Sequence, residues 1–153
     1  AQVNRALFED LAHSELLISC FYAEIELPSG RVSFCRAGHP LPLLMQKGKQ
    51  EWLDTEGLLI GVAEDGAFGE GSVQLDCGDS IVLYTDGVPE VWDGQGRPFG
   101  SEGVSKAALE TLGSAPTEAA VRIVAAAREH AGGSVLSDDV TVLVVRFGDE
   151  SEK

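Results

Sequence analysis

The stretch from residue 78 to residue 100, GDSIVLYTDGVPEVWDGQGRPFG, places a strand, a carboxylate and a turn within a few positions. Residues 80–85 are mostly apolar or β-branched, which favours a buried strand. Asp86 and Gly87 follow at once, although Asp is depleted inside sheets and Asp-Gly is a turn signal. The pattern therefore predicts a carboxylate held at a fixed point on the edge of a sheet.

Two further acids stand ahead of a second apolar strand. Residues 140–145 read VTVLVV and are apolar on both faces, which predicts a central strand covered on both sides. Asp138 and Asp139 precede this strand directly. If the two strands are antiparallel neighbours, the end of one meets the start of the other, and Asp86 comes close to Asp138. Carboxylates that lie so close repel one another, and a hard divalent cation such as Mg²⁺ or Mn²⁺ is the usual remedy.

Each acidic site also has a simpler interpretation. Asp86 can cap a helix that the spacing of the following apolar residues predicts, namely Val88, Val91 and Trp92. Asp138 can bond its own backbone in a loop. Asp79 lies in the turn ahead of the strand, and we assign it to that turn. Two carboxylates also fall short of a two-metal site, which needs further oxygen ligands.

The rest of the chain supplies hairpins first and helices later. Further strands are predicted at 16–27, 31–36, 41–46, 51–53 and 72–75, with tight turns between several of them. Helices are predicted at 1–12, 101–112 and 116–131. Short connections imply antiparallel pairing, and the late helices must cover a sheet face. The predicted fold class is therefore α+β.

The charge balance bears on the choice of partner. The 153-residue chain has 25 acidic and 11 basic residues, a net charge of −14. A nucleic-acid binder neutralises phosphates with Lys and Arg, so we expect no nucleic-acid partner. No run of about 18 apolar residues is present, so we expect no membrane insertion in this segment. An acidic protein still handles phosphorylated substrates when a bound cation supplies positive charge.

The cysteines and several aromatic and basic residues are interpreted more simply. Cys20, Cys35 and Cys77 are odd in number and include no C-x-x-C pair, so we expect buried thiols in a reducing cytoplasm. His39 is expected to bond the backbone at a strand break, and Arg97 to be a solvated loop residue. The two tryptophans, Trp52 and Trp92, can line a partner groove or belong to the core.

Six segments, taken in order, resemble the motifs of one family. They are LLISCFYAEIEL (16–27), RAGHPLPLL (36–44), LIGV (59–62), GDSIVLYTDGVPE (78–90), FG (99–100) and SDDVT (137–141). The family is that of the bacterial SpoIIE-type serine/threonine phosphatases, within the metal-dependent, protein phosphatase 2C-like (PPM) superfamily. The resemblance covers nearly the whole chain, so residues 1–147 are interpreted as a partial PPM-type domain and residues 148–153 as an acidic tail.

The resemblance implies a fold and an activity. The expected fold is an antiparallel β-sandwich flanked by helices, and the expected reaction is hydrolysis of phosphoserine or phosphothreonine with two Mn²⁺ or Mg²⁺ ions in the complete domain. Asp86 and Asp138 match metal ligands of the family, Asp139 is a secondary candidate, and no catalytic residue is expected beyond the ligands. The implied substrate is a phosphorylated bacterial regulatory protein, such as an anti-sigma-factor antagonist. The parent protein is expected to carry a fused sensory or receiver domain.

The chain departs from the family pattern in one place. The family's first metal motif, a G-D-x-x-G-H-G segment that supplies a bridging Asp, precedes the helix that ends near residue 12. No such segment is present, and Asp10 lies in a helical stretch without adjacent glycines. We therefore expect a fragment that lacks its N-terminal segment and is itself inactive. The alternative is a non-catalytic adaptor of the same fold that binds a regulatory partner.

Overall fold

The computed structural model describes residues 1–133, 136 and 138–148 of the chain. Within these residues the elements are, in order, α1 (Gln2–Ser14), β1 (Cys20–Glu26), β2 (Arg31–Ala37), β3 (Leu43–Gln46), β4 (Lys49–Trp52), β5 (Gly71–Gln74), β6 (Ser80–Tyr84), α2 (Gly100–Leu109), α3 (Pro116–His130) and β7 (Val142–Arg146). Antiparallel sheets with helices confirm the predicted α+β class.

The first of two compact units comprises Ala1–His39 and Leu53–Leu75. Its sheet has the order β1-β2-β5, and every pairing in it is antiparallel. The predicted hairpin between β1 and β2 is present, and Gly30 turns the chain with a φ of +73° that favours glycine. Helix α1 contributes Leu11 to a small core with Ala37 and Ile60.

A buried asparagine fixes α1 within this unit. The Asn4 side chain donates to the carbonyls of Ala63 and Glu64 at 2.9 Å each, and its Oδ1 accepts from the amide of Gly61 at 3.0 Å. Because all three bonds are made, a buried polar group costs little here. No motif of the sequence marks Asn4. Its position as a polar residue beside the apolar stripe of α1 is the available signal.

The second unit comprises Pro40–Trp52 and the described residues after Leu75. Its antiparallel sheet has the order β4-β3-β6-β7. Helices α2 and α3 supply Val104 and Ile123 to a core that includes Leu43 and Val82 from the sheet. The phenol of Tyr84, at the end of β6, donates to the carbonyl of Leu41 at 2.8 Å, and burial raises its pKa to about 12.

The prediction that the last strand is central and doubly covered is wrong. In the described part of the chain β7 is the edge strand of its sheet, paired only with β6. Its Leu143 side chain is 55% exposed. An apolar run carries no information on strand order, so a strand half covered by α3 and a fully covered strand look alike in sequence.

The predicted helix directly after Asp86 is also wrong. Residues 86–99 form turns and a short bridge between Trp92 and Pro98, and helix α2 begins only at Gly100. Val88 and Val91 are nevertheless fully buried. Their three-residue spacing therefore reflects a turn that inserts both side chains into the core.

The cysteine prediction holds in part. All three thiols are free, but Cys77 is exposed and Cys20 and Cys35 are only half-buried. Cys77 lies in the turn ahead of β6, where the neighbouring apolar residues belong to the strands and not to the turn. None of the helices in the described part of the chain combines the length and hydropathy that a membrane crossing requires.

The predicted domain of residues 1–147 stays a prediction. The two compact units divide the chain by contacts and do not mark a domain boundary at residue 147. Most of the predicted acidic tail, residues 149–153, lies outside the described residues, as does Ser137.

Candidate metal site

Hydrogen bonds tie the end of β6 to the start of β7. The regular ladder ends with Tyr84 opposite Val142. Beyond it, the Thr85 amide donates to the carbonyl of Thr141 at 3.1 Å, and the Thr141 amide donates to Thr85 Oγ1 at 3.0 Å. Thr85 Oγ1 in turn donates to the carbonyl of Asp139 at 2.9 Å. The two strands are therefore antiparallel neighbours, as predicted, and their ends meet at one sheet edge.

Gly87 allows the closest approach at this edge. A Cβ atom at this position would overlap the carbonyl oxygen of Asp139 and lie 3.4 Å from the Cβ of Asp138. Gly87 does not have a positive φ, so the position excludes a side chain because of space and not because of backbone conformation. The segment that carries Asp138 and Asp139 thus lies directly against the residue that follows Asp86.

The three candidate acids are exposed at this edge. Asp86 Oδ1 accepts from the amide of Gly87 at 3.0 Å, and Asp138 Oδ1 accepts from the amide of Asp139 at 2.7 Å. These local bonds orient two of the carboxylates. Because the carboxylates are solvated, folding does not require a counter-ion for them. The case for a metal therefore depends on their juxtaposition.

The carboxylates at this edge are of the chemical type that a hard cation prefers, but they are fewer than a complete metal site requires. Carboxylate oxygens suit Mg²⁺ and Mn²⁺. Within the residues that the structure describes, however, no group of three or more His, Cys, Asp or Glu side chains converges as a metal site would require. A two-ion site would need ligands beyond Asp86 and Asp138.

Asp79, at the opposite end of β6, has a different environment. It is only 2% exposed, and its Oδ2 accepts from Gln46 Nε2 and from the amide of Asp76, both at 2.8 Å. Its backbone carbonyl accepts from the amide of Phe147 at 2.9 Å. The assignment of Asp79 to the turn is confirmed, since its carboxylate closes that turn. Nearby, the bond from Lys47 Nζ to Asp76 raises the pKa of the exposed lysine.

A compact loop follows the candidate site. Asp93 Oδ1 accepts from the amides of Gln95 and Arg97 at 2.8 and 2.9 Å, and Asp93 Oδ2 accepts from Arg97 Nε at 2.8 Å. The Arg97 amide, followed by its guanidinium and the Gln95 amide, lowers the pKa of Asp93 to about 2. Arg97 is an exposed loop residue, as predicted, but its guanidinium is paired with Asp93.

The AGHP motif is held by an arginine in the first unit. Arg36 donates to Asp54 Oδ1 at 2.6 Å and to the carbonyl of His39 at 3.1 Å. The His39 ring contacts a side chain, with Nδ1 3.3 Å from Ser19 Oγ, whereas the bond from Arg36 goes to the His39 carbonyl. Gly38 has a φ of +63°, and a Cβ there would lie 2.6 Å from the side chain of Leu59. The glycine thus brings two of the quoted motifs, AGHP and LIGV, into contact.

Comparison with known proteins extends these observations. The family model described as Stage II sporulation protein E (SpoIIE) matches residues 1–148. Protein IcfG from Synechocystis sp. is 29% identical over 134 residues, which cover 85% of this chain and 20% of that protein. Phosphoserine phosphatase RsbU from Bacillus subtilis is 29% identical over 90 residues, which cover 58% of this chain and 27% of that protein. The chain thus spans about a fifth to a quarter of the length of these relatives.

Solved structures share the fold. The SiaA-PP2C domain of Pseudomonas aeruginosa superposes with a TM-score of 0.82 at 23% identity, covering 95% of this chain and 58% of that chain. The phosphatase domain of SpoIIE from Bacillus subtilis (Mn presoaked) superposes with a TM-score of 0.70 at 19% identity, covering 95% of this chain and 62% of that chain. With the family model matching almost every residue, the chain belongs to the SpoIIE family and has the fold of the PP2C-type phosphatases.

Proposed function

We propose that the chain is part of a Mn²⁺- or Mg²⁺-dependent protein serine/threonine phosphatase in which Asp86 and Asp138 bind a divalent cation. The observation that carries the proposal is the junction of β6 and β7, where the two acids follow and precede paired strands. Family membership supports the reaction class, because two relatives in Bacillus subtilis, RsbU and RsbP, are phosphoserine phosphatases.

The residues of the chain have simple parts in this proposal. Asp86 and Asp138 would hold the cation, with Asp139 as the secondary candidate ligand, and the Asp139 amide would orient the Asp138 carboxylate. A bound ion of this kind supplies positive charge for a phosphoryl group and acidifies water. The Thr85 hydrogen bonds hold the two strand ends in place. Ligands beyond these acids must complete the site, since the described residues gather no larger cluster. We therefore propose that the 153 residues alone hydrolyse little.

The proposed substrate is a phosphorylated regulatory protein in the bacterial cytoplasm, such as an anti-sigma-factor antagonist. The relatives RsbU and RsbP are both named phosphoserine phosphatases, which supports a phosphoserine substrate. Because the chain spans only 20% of IcfG and 27% of RsbU, a parent of similar length has room for a fused sensory or receiver domain.

A second candidate function is a non-catalytic adaptor. The incomplete donor set among the described residues is the observation that favours it. An adaptor would use the same fold to bind a regulatory partner without hydrolysing it. The phosphatase requires a divalent cation and a phosphate group on its substrate, whereas the adaptor requires neither.

The test is an Asp86→Asn variant in the longest polypeptide that carries these residues, with the 153-residue chain assayed beside it. We expect Mn²⁺-dependent hydrolysis of p-nitrophenyl phosphate by the longer protein to fall at least about 100-fold in the variant. Glu102→Gln is the matched control, because Glu102 is an exposed acid in the first turn of α2. Equal rates for Asp86→Asn and the parent would exclude Asp86 from the reaction. Absence of Mn²⁺-dependent hydrolysis in the unmodified longer protein would favour the adaptor.

A further inference from the structure

Trp92 is an exposed aromatic residue close to the candidate site in sequence. Its side chain is 53% exposed, so it is not part of the core, whereas Trp52 is half-buried and packs against the core of the second unit. Exposing an indole to water forgoes the free energy of burying a large apolar surface. Tryptophan is also enriched among the residues that dominate binding energy at interfaces.

The loop that presents Trp92 is held at both ends and in the middle. Trp92 and Pro98 form a bridge, and Asp93 binds two loop amides and the Arg97 guanidinium. The Arg97 carbonyl is 2.9 Å from His130 Nε2 at the end of α3. A loop fixed in this way loses little conformational entropy when a ligand binds, so more of the contact energy appears as affinity.

The position of Trp92 relative to Asp86 is limited by the chain between them. The Glu90 amide donates to the carbonyl of Asp86 at 3.0 Å, and the Phe99 amide donates to the carbonyl of Val91 at 2.7 Å. Six residues span at most about 20 Å when extended, and this segment is folded into turns. The Cα atoms of Asp86 and Trp92 are therefore less than about 20 Å apart, a separation that a short peptide can span.

The charges around the loop indicate the composition of such a peptide. Glu90 is an exposed acid close to the proposed ligand Asp86 in sequence, whereas the nearest cation in sequence, Arg97, is paired with Asp93. Because Asp86 faces the metal ion in the proposed site, a peptide that approaches this surface is favoured if it carries a basic residue to face Glu90. An apolar side chain beside it can cover the indole.

We propose that Trp92 is a specificity-determining residue that receives an apolar side chain located within about six residues of the phosphoserine in a basic substrate segment. The inference rests on the proposed phosphatase function, because that function places the phosphate at Asp86. The ligand that we expect at Trp92 is a phosphoserine peptide with one leucine and one lysine near the phosphoserine. Such a contact selects among phosphoproteins without taking part in the hydrolysis.

The test is an NMR titration of the ¹⁵N-labelled chain with synthetic peptides in the presence of Mg²⁺. The main probe carries phosphoserine, an adjacent lysine and a leucine four residues away, and its comparison peptides have serine for leucine or an unmodified serine for phosphoserine. The indole N–H signals of Trp92 and Trp52 report on the contact and on an internal control. We expect saturable movement of the Trp92 signal with the main probe and affinity about tenfold lower for the leucine-to-serine peptide.

Variants separate the contact from general effects on the protein. Trp92→Ala, followed by the backbone signals of Gly87 and Asp139, should weaken binding of the main probe about tenfold, and Trp92→Phe should restore most of it. Leu112→Ala is the matched control, because Leu112 is also 53% exposed and lies outside the loop. Equal affinity of the leucine and serine peptides, no binding of either, or equal effects of Trp92→Ala and Leu112→Ala would overturn the proposal.

The same titration distinguishes failure of the proposed function from failure of this inference. If leucine matters but phosphate, Mg²⁺ and Asp86→Asn do not, Trp92 binds an apolar segment as proposed and the phosphatase site is wrong. If phosphate and Asp86 matter but leucine and Trp92 do not, the phosphatase site stands and Trp92 has no part in specificity.

Discussion

The two ends of strand β6 carry the same side chain in opposite environments. Asp79 at the start is 2% exposed and closes a turn with two hydrogen bonds to one carboxylate oxygen. Asp86, just past the other end, is exposed and accepts a bond from the amide of the next residue. Both follow the pattern of an acid beside a glycine at a strand boundary. Burial therefore distinguishes an acid that maintains the fold from one that is accessible to a ligand.

The largest effect is expected at the buried end. Asp79→Ala should lower the free energy of unfolding by about 3 kcal/mol, because it removes the buried carboxylate that accepts hydrogen bonds from the Gln46 side chain and from the Asp76 amide. Urea denaturation followed by circular dichroism measures the change. Asp79→Asn is the matched control, since its carbonyl oxygen retains one acceptor, and it should cost less. A loss below about 0.5 kcal/mol in Asp79→Ala would show that the turn does not depend on this carboxylate.

The next effect concerns the close approach at the exposed end. Gly87→Ala should destabilise the protein by about 2 kcal/mol, because the new methyl group overlaps the Asp139 carbonyl and pushes the two strand ends apart. Gly94→Ala is the control, since a Cβ there meets no atom within 4 Å. Both stabilities are read from the same urea series. If the two variants are equally stable, the contact between Gly87 and Asp139 is not tight.

The pairing of strand ends could be predicted from sequence because it depends on local signals. An apolar strand that ends in Asp86 and another that begins after Asp139 indicate their own boundaries, and short connections favour antiparallel neighbours. The edge position of β7 and the turn that buries Val88 and Val91 depend on strand order and on core space, which no local pattern encodes. The exposure of Trp92 is likewise not encoded in a local pattern, because the loop that presents it is held partly by His130 in α3.

A smaller, pH-dependent effect is expected in the loop after the exposed end. The folded-state pKa of Asp93 is about 2, below its ordinary value of 3.8, so its hydrogen bonds stabilise the loop above about pH 4 and are lost as the pH falls through 2. The ¹³C carboxyl signal should therefore titrate near pH 2. Arg97→Ala removes the guanidinium but keeps the amide, the largest contributor, so the pKa should rise only part of the way. A titration near 3.8 in the unmodified chain would contradict the loop geometry.

The smallest effect on stability is expected at Asp86 itself. Asp86→Ala should change the free energy of unfolding by less than about 0.5 kcal/mol without metal, because the side chain is solvated and makes one local bond. Saturating Mn²⁺ should stabilise the unmodified chain but not the variant, since a ligand that binds only the folded state adds to its stability. A large loss of stability without metal would place Asp86 with Asp79 as a structural acid.

Paramagnetic broadening by Mn²⁺ tests the assignment of the two acids most directly. In a titration of the ¹⁵N-labelled chain with Mn²⁺, the amide signals of Gly87 and Asp139 should broaden first, and those of Asp76 and Gly78 near Asp79 should stay sharp. Asp86→Asn should remove the selective broadening. Uniform broadening, broadening centred on Asp79, or an unchanged response in Asp86→Asn would contradict a cation site at the junction of β6 and β7.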